Sequence, residues 1–276
     1  MKTLDAKFEA LKHFIEEKGK DGVVIAFSGG VDSTTLAAVS HSILRDRAVA
    51  VTAQSPTYTP EELEEAKKAA KEIGIRLIVV ETDELSDENF SKNPENRCYY
   101  CKKALLMRLR QVAEERGFKA VFEGTNFSDL TDHRPGFKAV KETENVYSPW
   151  VEAKFTKEEI RAVAKKLGLS VQSKPPLACL ASRIPYHERI TAEKLNRIGK
   201  AEQIIRKITG AQQLRVRDHN GLARIEVGKS ERSLLCNVEV LDKIAGALKR
   251  LSFKYVTIDV EGYRTGSMLL TIDNEE

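Results

Sequence analysis

Three groups of residues in this chain have the types and spacing to do chemistry. The first is Ser28-Gly29-Gly30-Val31-Asp32-Ser33. Two adjacent glycines let the backbone turn tightly and approach a ligand closely. The N–H groups that open a following helix then face that ligand, and the helix dipole favours an anion. Asp32 offers a carboxylate to a hard cation such as Mg²⁺, and Ser28 and Ser33 add hydroxyl donors. The string reads as a phosphate cradle without the Lys of a Walker-type loop. Simple helix capping is the plainer account of Asp32 and Ser33.

The second group is the cysteines. Cys98-Tyr99-Tyr100-Cys101 opens a predicted helix, with Arg97, Lys102 and Lys103 beside it to favour thiolates. A Cys-x-x-Cys pair is either a redox pair or half of a metal site. The chain has four cysteines, and the other two stand apart and form no second pair of this kind. Cys179 lies in KPPLACLASRIPY, and Cys236 in SLLCNVEVL, which reads as an apolar helix and an inert core position. Cys98, Cys101 and Cys179 remain. Three thiolates suit a [4Fe–4S] cluster with one iron open to hydrosulfide; unrelated thiols are the alternative.

The third group is anionic-ligand chemistry elsewhere. Arg215 and Arg217 stand at i and i+2 of a predicted strand, on one face, which suits a phosphate. A solvated charged strand is the alternative. In Glu123-Gly124-Thr125-Asn126, Gly124 allows backbone to lie beside an adenine or ribose, and Asp129 offers a metal contact; a capped turn explains the same types. Arg134 either neutralises a phosphate or forms a salt bridge.

These residues need elements to position them. Predicted strands at 22–27, 48–53, 76–81 and 120–123 alternate with predicted helices at 32–44, 60–73 and 101–116. That alternation implies a parallel α/β sheet with helices on both faces. Ligands of such sheets sit beyond the C-terminal strand ends, where the loops at Ser28, Ser55 and Gly124 fall. Thr156 and Glu159 form a capping-box pattern opening a helix over 156–167. A Pro-rich stretch over 173–190 follows, long enough to be functional. Beyond it, helices at 191–208 and 232–251 and strands flanking His219-Asn220-Gly221, at 255–260 and at 268–272 predict a small α+β domain. The expected division is 1–172, 173–190 and 191–276.

A net charge of +4, from 45 basic and 41 acidic residues, is too mild for a strong nucleic-acid binder. No apolar run is long enough to cross a bilayer. MKTLDAKFEALKHF reads as an amphipathic helix, not a signal peptide. The expectation is a cytoplasmic enzyme, where disulfides are disfavoured.

The Ser28–Ser33 string resembles the PP-loop of ATP pyrophosphatases, which bind the β,γ-pyrophosphate of ATP and release it on transferring AMP to a substrate. Over nearly its whole length the chain is similar to the LarE family of PP-loop sulfur transferases. The matching strings are SGGVDST, CYYCKK, EGTNFSDLTDHRPG, CLASRIPY and LRVRDHNGLARIE. The first is common to PP-loop enzymes; the later ones, in order, are specific.

The resemblance implies a Rossmann-like, adenine nucleotide alpha hydrolase-like domain with a smaller C-terminal α+β domain. It implies adenylation by ATP of the carboxylates of pyridinium-3,5-biscarboxylic acid mononucleotide, then displacement of AMP by sulfur, for the nickel-pincer cofactor of lactate racemase. ATP contacts are implied at Ala26, Ser28, Gly29, Gly30, Asp32, Ser33, Ser55, Gly124 and Asp129, with Mg²⁺ on Asp32. Substrate contacts are implied at Arg183, Arg215, Arg217 and Glu226. Some members sacrifice the sulfur of the cysteine matching Cys179, leaving dehydroalanine. Others carry three cysteines, matching Cys98, Cys101 and Cys179, and are thought to hold a [4Fe–4S] cluster. Family members form homo-oligomers, including hexamers. This chain departs at His187, where the family usually has Gly, and near Ser233, where an Asp of some members has no clear counterpart. The competing readings are a tRNA thiolase, an amidating ligase such as an NAD or GMP synthetase, and a non-enzymatic nucleotide-binding module.

Overall fold

The computed structural model describes residues 3–131, 135–174 and 178–271. The turn at Asp132-His133-Arg134, the 175–177 stretch and Ile272 lie outside the described residues. The chain packs as two units, one of Met1–Glu84 with Asn96–Leu177, the other of Leu85–Glu95 with Ala178–Glu276.

Helix α1 (Leu4–Gly19) starts at Thr3, whose hydroxyl accepts from the Ala6 N–H. Strand β1 (Val23–Ala26) leads into α2 (Val31–Leu44), then β2 (Ala48–Gln54). Helix α3 (Pro60–Ile73) has the capping box of Thr59 and Glu62 at one end and Gly74, at φ 79°, at the other. Strand β3 (Leu77–Glu81) follows. Helix α4 (Glu88–Ser91) belongs to the second unit. The first unit resumes with α5 (Arg97–Glu115), β4 (Ala120–Phe122), α6 (Pro135–Glu142), β5 (Val146–Tyr147), α7 (Pro149–Glu152) and α8 (Lys157–Lys166). Thr156 and Glu159 form the expected capping box of α8.

The first sheet runs β3-β2-β1-β4-β5, all parallel. Its strands are apolar on both sides because helices cover both faces. Val23 and Ile25 of β1, Ala48 and Ala50 of β2, and Phe122 of β4 pack with Leu11, Leu36 and Trp150. Val24, Val49, Val51 and Val121, pointing the other way, pack with Leu106 and Leu109 of α5. This period-two split makes β1 a central strand with its C-terminal end at the switch point between β1 and β4.

In the second unit, α9 (Ala192–Thr209) covers the hairpin of β6 (Leu214–His219) and β7 (Leu222–Val227). Asn220 and Gly221 turn it with φ of 49° and 94°, the positive pair a tight two-residue hairpin needs. Helix α10 (Val238–Arg250) precedes β8 (Tyr255–Ile258), which pairs parallel to β7.

Three sequence expectations need correction. The 232–251 stretch is not one helix: a 3-10 turn over Lys229–Leu235 ends before Asn237, whose side chain accepts from the Val240 N–H and starts α10 afresh. Cys236 sits in that break and is exposed, not a core residue. Met268 belongs to a 3-10 turn over Ser267–Thr271, not a strand. Among the described residues, no helix is long and apolar enough to cross a membrane.

Candidate active site

The turn after β1 is built as its sequence implies. Gly29 has φ 68°, and a Cβ there would stand 2.8 Å from the Ala66 Cα of α3. Only glycine meets both conditions. The N-cap of α2 is Gly30, with no side-chain capping bond, so neither Asp32 nor Ser33 is a helix cap. The Ser28 and Ser33 hydroxyls lie 3.1 Å apart, and the Ser33 hydroxyl accepts from the Ser28 N–H at 3.2 Å. The Asp32 carboxylate pairs with Lys157, the first residue of α8, and accepts a long 3.4 Å bond from the Asn126 side-chain amide. Trp150 donates its indole N–H to the Asp32 carbonyl at 3.1 Å. Lys174 donates to the Gly29 carbonyl at 2.9 Å and pairs with Glu65 at 2.7 Å. Two ammonium groups thus flank the cradle, and sequence reading named neither. Lys157 follows a capping Thr that was legible; the direction of its side chain was not.

The other sheet-end loops support this turn. A Cβ on Gly124 would lie 3.3 Å from the Ser33 nitrogen and 3.4 Å from the Asp32 Cβ, so Gly124 lets the loop after β4 press on the first turn of α2. Asn126 and Asp129 form a reciprocal turn: the Asp129 carboxylate accepts from the Asn126 N–H at 3.1 Å, and the Asn126 side chain from the Asp129 N–H at 3.3 Å. That is the capped-turn alternative. Ala26 ends β1 opposite Val51. Ser55 is buried, donating to Glu84 at 2.6 Å and lying 2.8 Å from the Thr57 hydroxyl, so its hydroxyl fixes the loop after β2.

Glu123, the last residue of the predicted strand at 120–123, is the hub of this loop, a role its sequence does not signal. It is 1% exposed and accepts from Lys102 at 2.8 Å, from the Thr125 N–H and hydroxyl at 3.1 and 2.7 Å, and from the Ser148 hydroxyl. Burial pushes its carboxyl up, but Lys102 and the hydroxyls outweigh this and hold it below the ordinary range. Lys102 follows Cys101, so the pair ties the cysteine-bearing turn of α5 to the loop after β4.

Cys98 and Cys101 lie on the first turn of α5, which begins at Arg97, four residues before the expected start. Cys98 is exposed and Cys101 half-buried. A Cβ on Gly136 of α6 would lie 3.4 Å from the Cys98 carbonyl oxygen and 3.6 Å from the Lys102 Cβ. Among the described residues, no group of three or more His, Cys, Asp or Glu side chains stands together as a metal site.

Cys179 is in the second unit, at the start of a 3-10 turn over Leu180–Arg183. Arg183, 3% exposed, pairs with Glu202 through two bonds of 2.9 and 3.2 Å. Its remaining Nη donates to the Ala178 and Cys179 carbonyls at 2.7 and 3.0 Å. Burial raises the Glu202 carboxyl, and Arg183 and Arg215 overcome this to keep it below the ordinary range. Arg217 donates to the Ser182 carbonyl at 3.0 Å, to Glu226 at 2.6 Å and to the Ser267 hydroxyl at 3.2 Å. Arg215 differs. It donates to the Leu214 carbonyl at 2.7 Å and lies 5.5 Å from the Tyr263 ring centroid. The nearby acids are committed elsewhere, Glu202 to Arg183 and Glu226 to Arg217 and Arg224. Burial and the Arg183 charge lower the basicity of Arg215 against the pull of Glu202. The two strand arginines expected to act alike therefore have different jobs, and Tyr263 and Ser267 join them from the stretch between the two expected C-terminal strands.

A parallel sheet, a glycine turn at its switch point and an acid, Asp32, in the first turn of the next helix define a PP-loop protein. A family model described as NAD synthase matches residues 3–116. An uncharacterized protein of Synechocystis is 43% identical over 265 residues, 96% of this chain and 97% of that one. The pyridinium-3,5-bisthiocarboxylic acid mononucleotide synthase of Lactiplantibacillus plantarum is 36% identical over 249 residues, 89% of this chain and 88% of that one. A glutamine-hydrolyzing GMP synthase of Thermus thermophilus is 29% identical over 212 residues, 71% of this chain and 42% of that one. The chain belongs to the PP-loop enzyme family of the L. plantarum synthase.

Proposed function

We propose that this protein is an ATP-dependent sulfurtransferase that adenylates the carboxylates of pyridinium-3,5-biscarboxylic acid mononucleotide and converts them to thiocarboxylates. The observation that carries the reading is the similarity to the L. plantarum synthase across 89% of the chain, which extends far past the phosphate turn shared with amidating ligases. ATP pyrophosphate would lie on the amides of Gly29 and Gly30, with the Ser28 and Ser33 hydroxyls donating. Lys157 and Lys174 would offset its growing charge as it leaves. Asp32 has oxygen donors suited to Mg²⁺, and its pairing with Lys157 supplies a counter-charge that the cation would displace. Arg215, which pairs with no acid among the described residues, would take the substrate phosphate, while Glu226 and Arg217 brace it.

For the sulfur source, the donor set of Cys98, Cys101 and Cys179 suits a [4Fe–4S] cluster held by three thiolates. Such a cluster supplies an open iron at which sulfide can be carried. A second reading has a specific observation behind it. The Arg183 Nη donates to the Cys179 carbonyl at 3.0 Å. If the Cys179 sulfur displaces AMP to form a thioester, a base must remove the Cys179 α-proton while the Cβ–S bond breaks. The products are a thiocarboxylate and dehydroalanine. Negative charge builds on the Cys179 carbonyl in that step, where a guanidinium donor stabilises it. Binding to tRNA is a poorer account, because a net charge of +4 is mild for a nucleic-acid binder.

The experiment is anaerobic purification with iron and sulfide analysis, followed by one turnover with ATP and substrate. About four irons per chain, lost in Cys98→Ala or Cys179→Ala, supports the cluster. No iron after reconstitution, with Cys179 lighter by one H₂S after turnover, supports the sacrificial route. No substrate-dependent AMP under either condition overturns the function.

A further inference from the structure

Residues 85–95 leave the first unit and pack in the second, which nothing in their sequence signals. Their anchor is Asn93. It is 0% exposed and has φ 60° directly before Pro94. A positive φ is uncommon outside glycine, though Asn tolerates it best, and a following proline narrows the choice further. Strain of this kind persists where surrounding contacts over-determine the backbone. The Asn93 N–H donates locally to the Phe90 carbonyl at 2.9 Å, and its carbonyl and side chain reach the segment after Cys179. The Asn93 carbonyl accepts from the His187 N–H at 3.0 Å, and His187 itself has φ 66°. The Asn93 side-chain amide donates to the Pro185 carbonyl at 2.6 Å and to the Ile184 carbonyl at 3.4 Å. Two residues earlier, the Ser91 carbonyl accepts from the Ile190 N–H at 2.8 Å, and Glu88 pairs with Arg189.

Arg183 and Arg217 grip the carbonyls of residues 178, 179 and 182. Asn93 grips those of 184 and 185 from 91 and 92 residues away in sequence. The segment that presents Cys179 is thus held on both sides of its 3-10 turn. We propose that Asn93 is a positioning residue for Cys179, fixing the backbone from which its sulfur acts. The assignment rests on the reading of Cys179 as a sulfur-bearing residue. Displacement at an acyl carbon demands a near-attack geometry, and a misplacement of about 1 Å costs on the order of a hundredfold.

The test uses Asn93→Gly, which keeps a positive φ but lacks the amide, and Asn93→Asp, which keeps the size but cannot donate. Two readouts are taken on the full chain. The first is the iodoacetamide alkylation rate of each cysteine by peptide mass spectrometry, with exposed Cys236 as internal reference. The second is thiocarboxylate formed per AMP released. The expected result is a Cys179 rate changed about threefold or more with Cys236 unchanged, AMP release within about twofold of the parent, and transfer per AMP down about tenfold or more. Cys179 alkylation and transfer both within about twofold of the parent in both variants overturn the proposal. So do equal losses of AMP release and transfer, or faster alkylation of all cysteines together, because those mark a general structural role. If the parent itself releases no substrate-dependent AMP, the functional reading has failed, and the alkylation rates still decide the role of Asn93.

Discussion

Replacing Glu123 by Gln tests whether the site is held together as the geometry states. The glutamine keeps the shape of the side chain, yet all four groups around it point hydrogens at the carboxylate. With the new NH₂ at the Oε1 position, the Thr125 N–H loses its acceptor and Ser148 must reverse its hydroxyl. With it at the Oε2 position, Lys102 faces a donor. Removing one partner of a fully buried ion pair costs about 3–5 kcal/mol. Lys102 is 25% exposed and regains some hydration, so the expected loss is lower, about 2–3 kcal/mol. At a urea slope of roughly 2–3 kcal/mol per molar, the unfolding midpoint falls by about 1 M. The probe is built in: Trp150 is the one tryptophan of the chain and is fully buried in the first unit, so its fluorescence follows that unit. Adding Lys102→Met to Glu123→Gln should restore part of the loss, since no buried ammonium then lacks its counter-charge. A midpoint shift below about 0.25 M would refute the view that Glu123 ties α5 to the loop after β4.

Other predictions follow from the same contacts. Asp32→Asn should lower substrate-dependent AMP release about a hundredfold or more, because a neutral amide neither holds Mg²⁺ nor balances Lys157; retention of half the parent rate counts against the assignment. Arg215→Met should raise the substrate KM about tenfold or more with little change in melting temperature, whereas Arg217→Met should chiefly lower stability by freeing Glu226 and the Ser182 carbonyl. Equal KM effects in the two variants would show that the distinction is wrong. Glu123 and Glu202 both have carboxyls held below their ordinary range. Their stabilisation is complete above the unfolded carboxylate pKa of about 4.3 and is lost as pH falls through the lower folded values. The contribution of these two carboxylates to the urea midpoint should therefore be constant from about pH 7 to 5 and be lost below about pH 4; a rise on acidification contradicts the sign.

Much of the fold was legible because its signals are local. Periodicity and capping marked α3, bounded by Thr59 and Gly74, and α8, opened by Thr156. Alternation of β-branched runs with amphipathic helices implied the parallel sheet, and the turn at Asn220-Gly221 implied the hairpin. Signals failed where a local cue was weak or misleading. β5 is two residues long, and Asn237 restarts a helix inside an apolar run that looked continuous.

By itself the sequence determined the phosphate turn, the strand ends that carry it and the residue types available for adenylation and sulfur chemistry. These depend on backbone preference and spacing, which act over a few residues. Only the tertiary structure decided that Lys157 rather than a nearer cation balances Asp32, that Glu123 pairs with Lys102, and that Arg215 and Arg217 part roles on one strand. It also decided that residues 85–95 serve the Cys179 segment. Those pairings join residues 9 to 125 positions apart. Which acid meets which base across such distances is set by how the layers pack, and no local pattern encodes it.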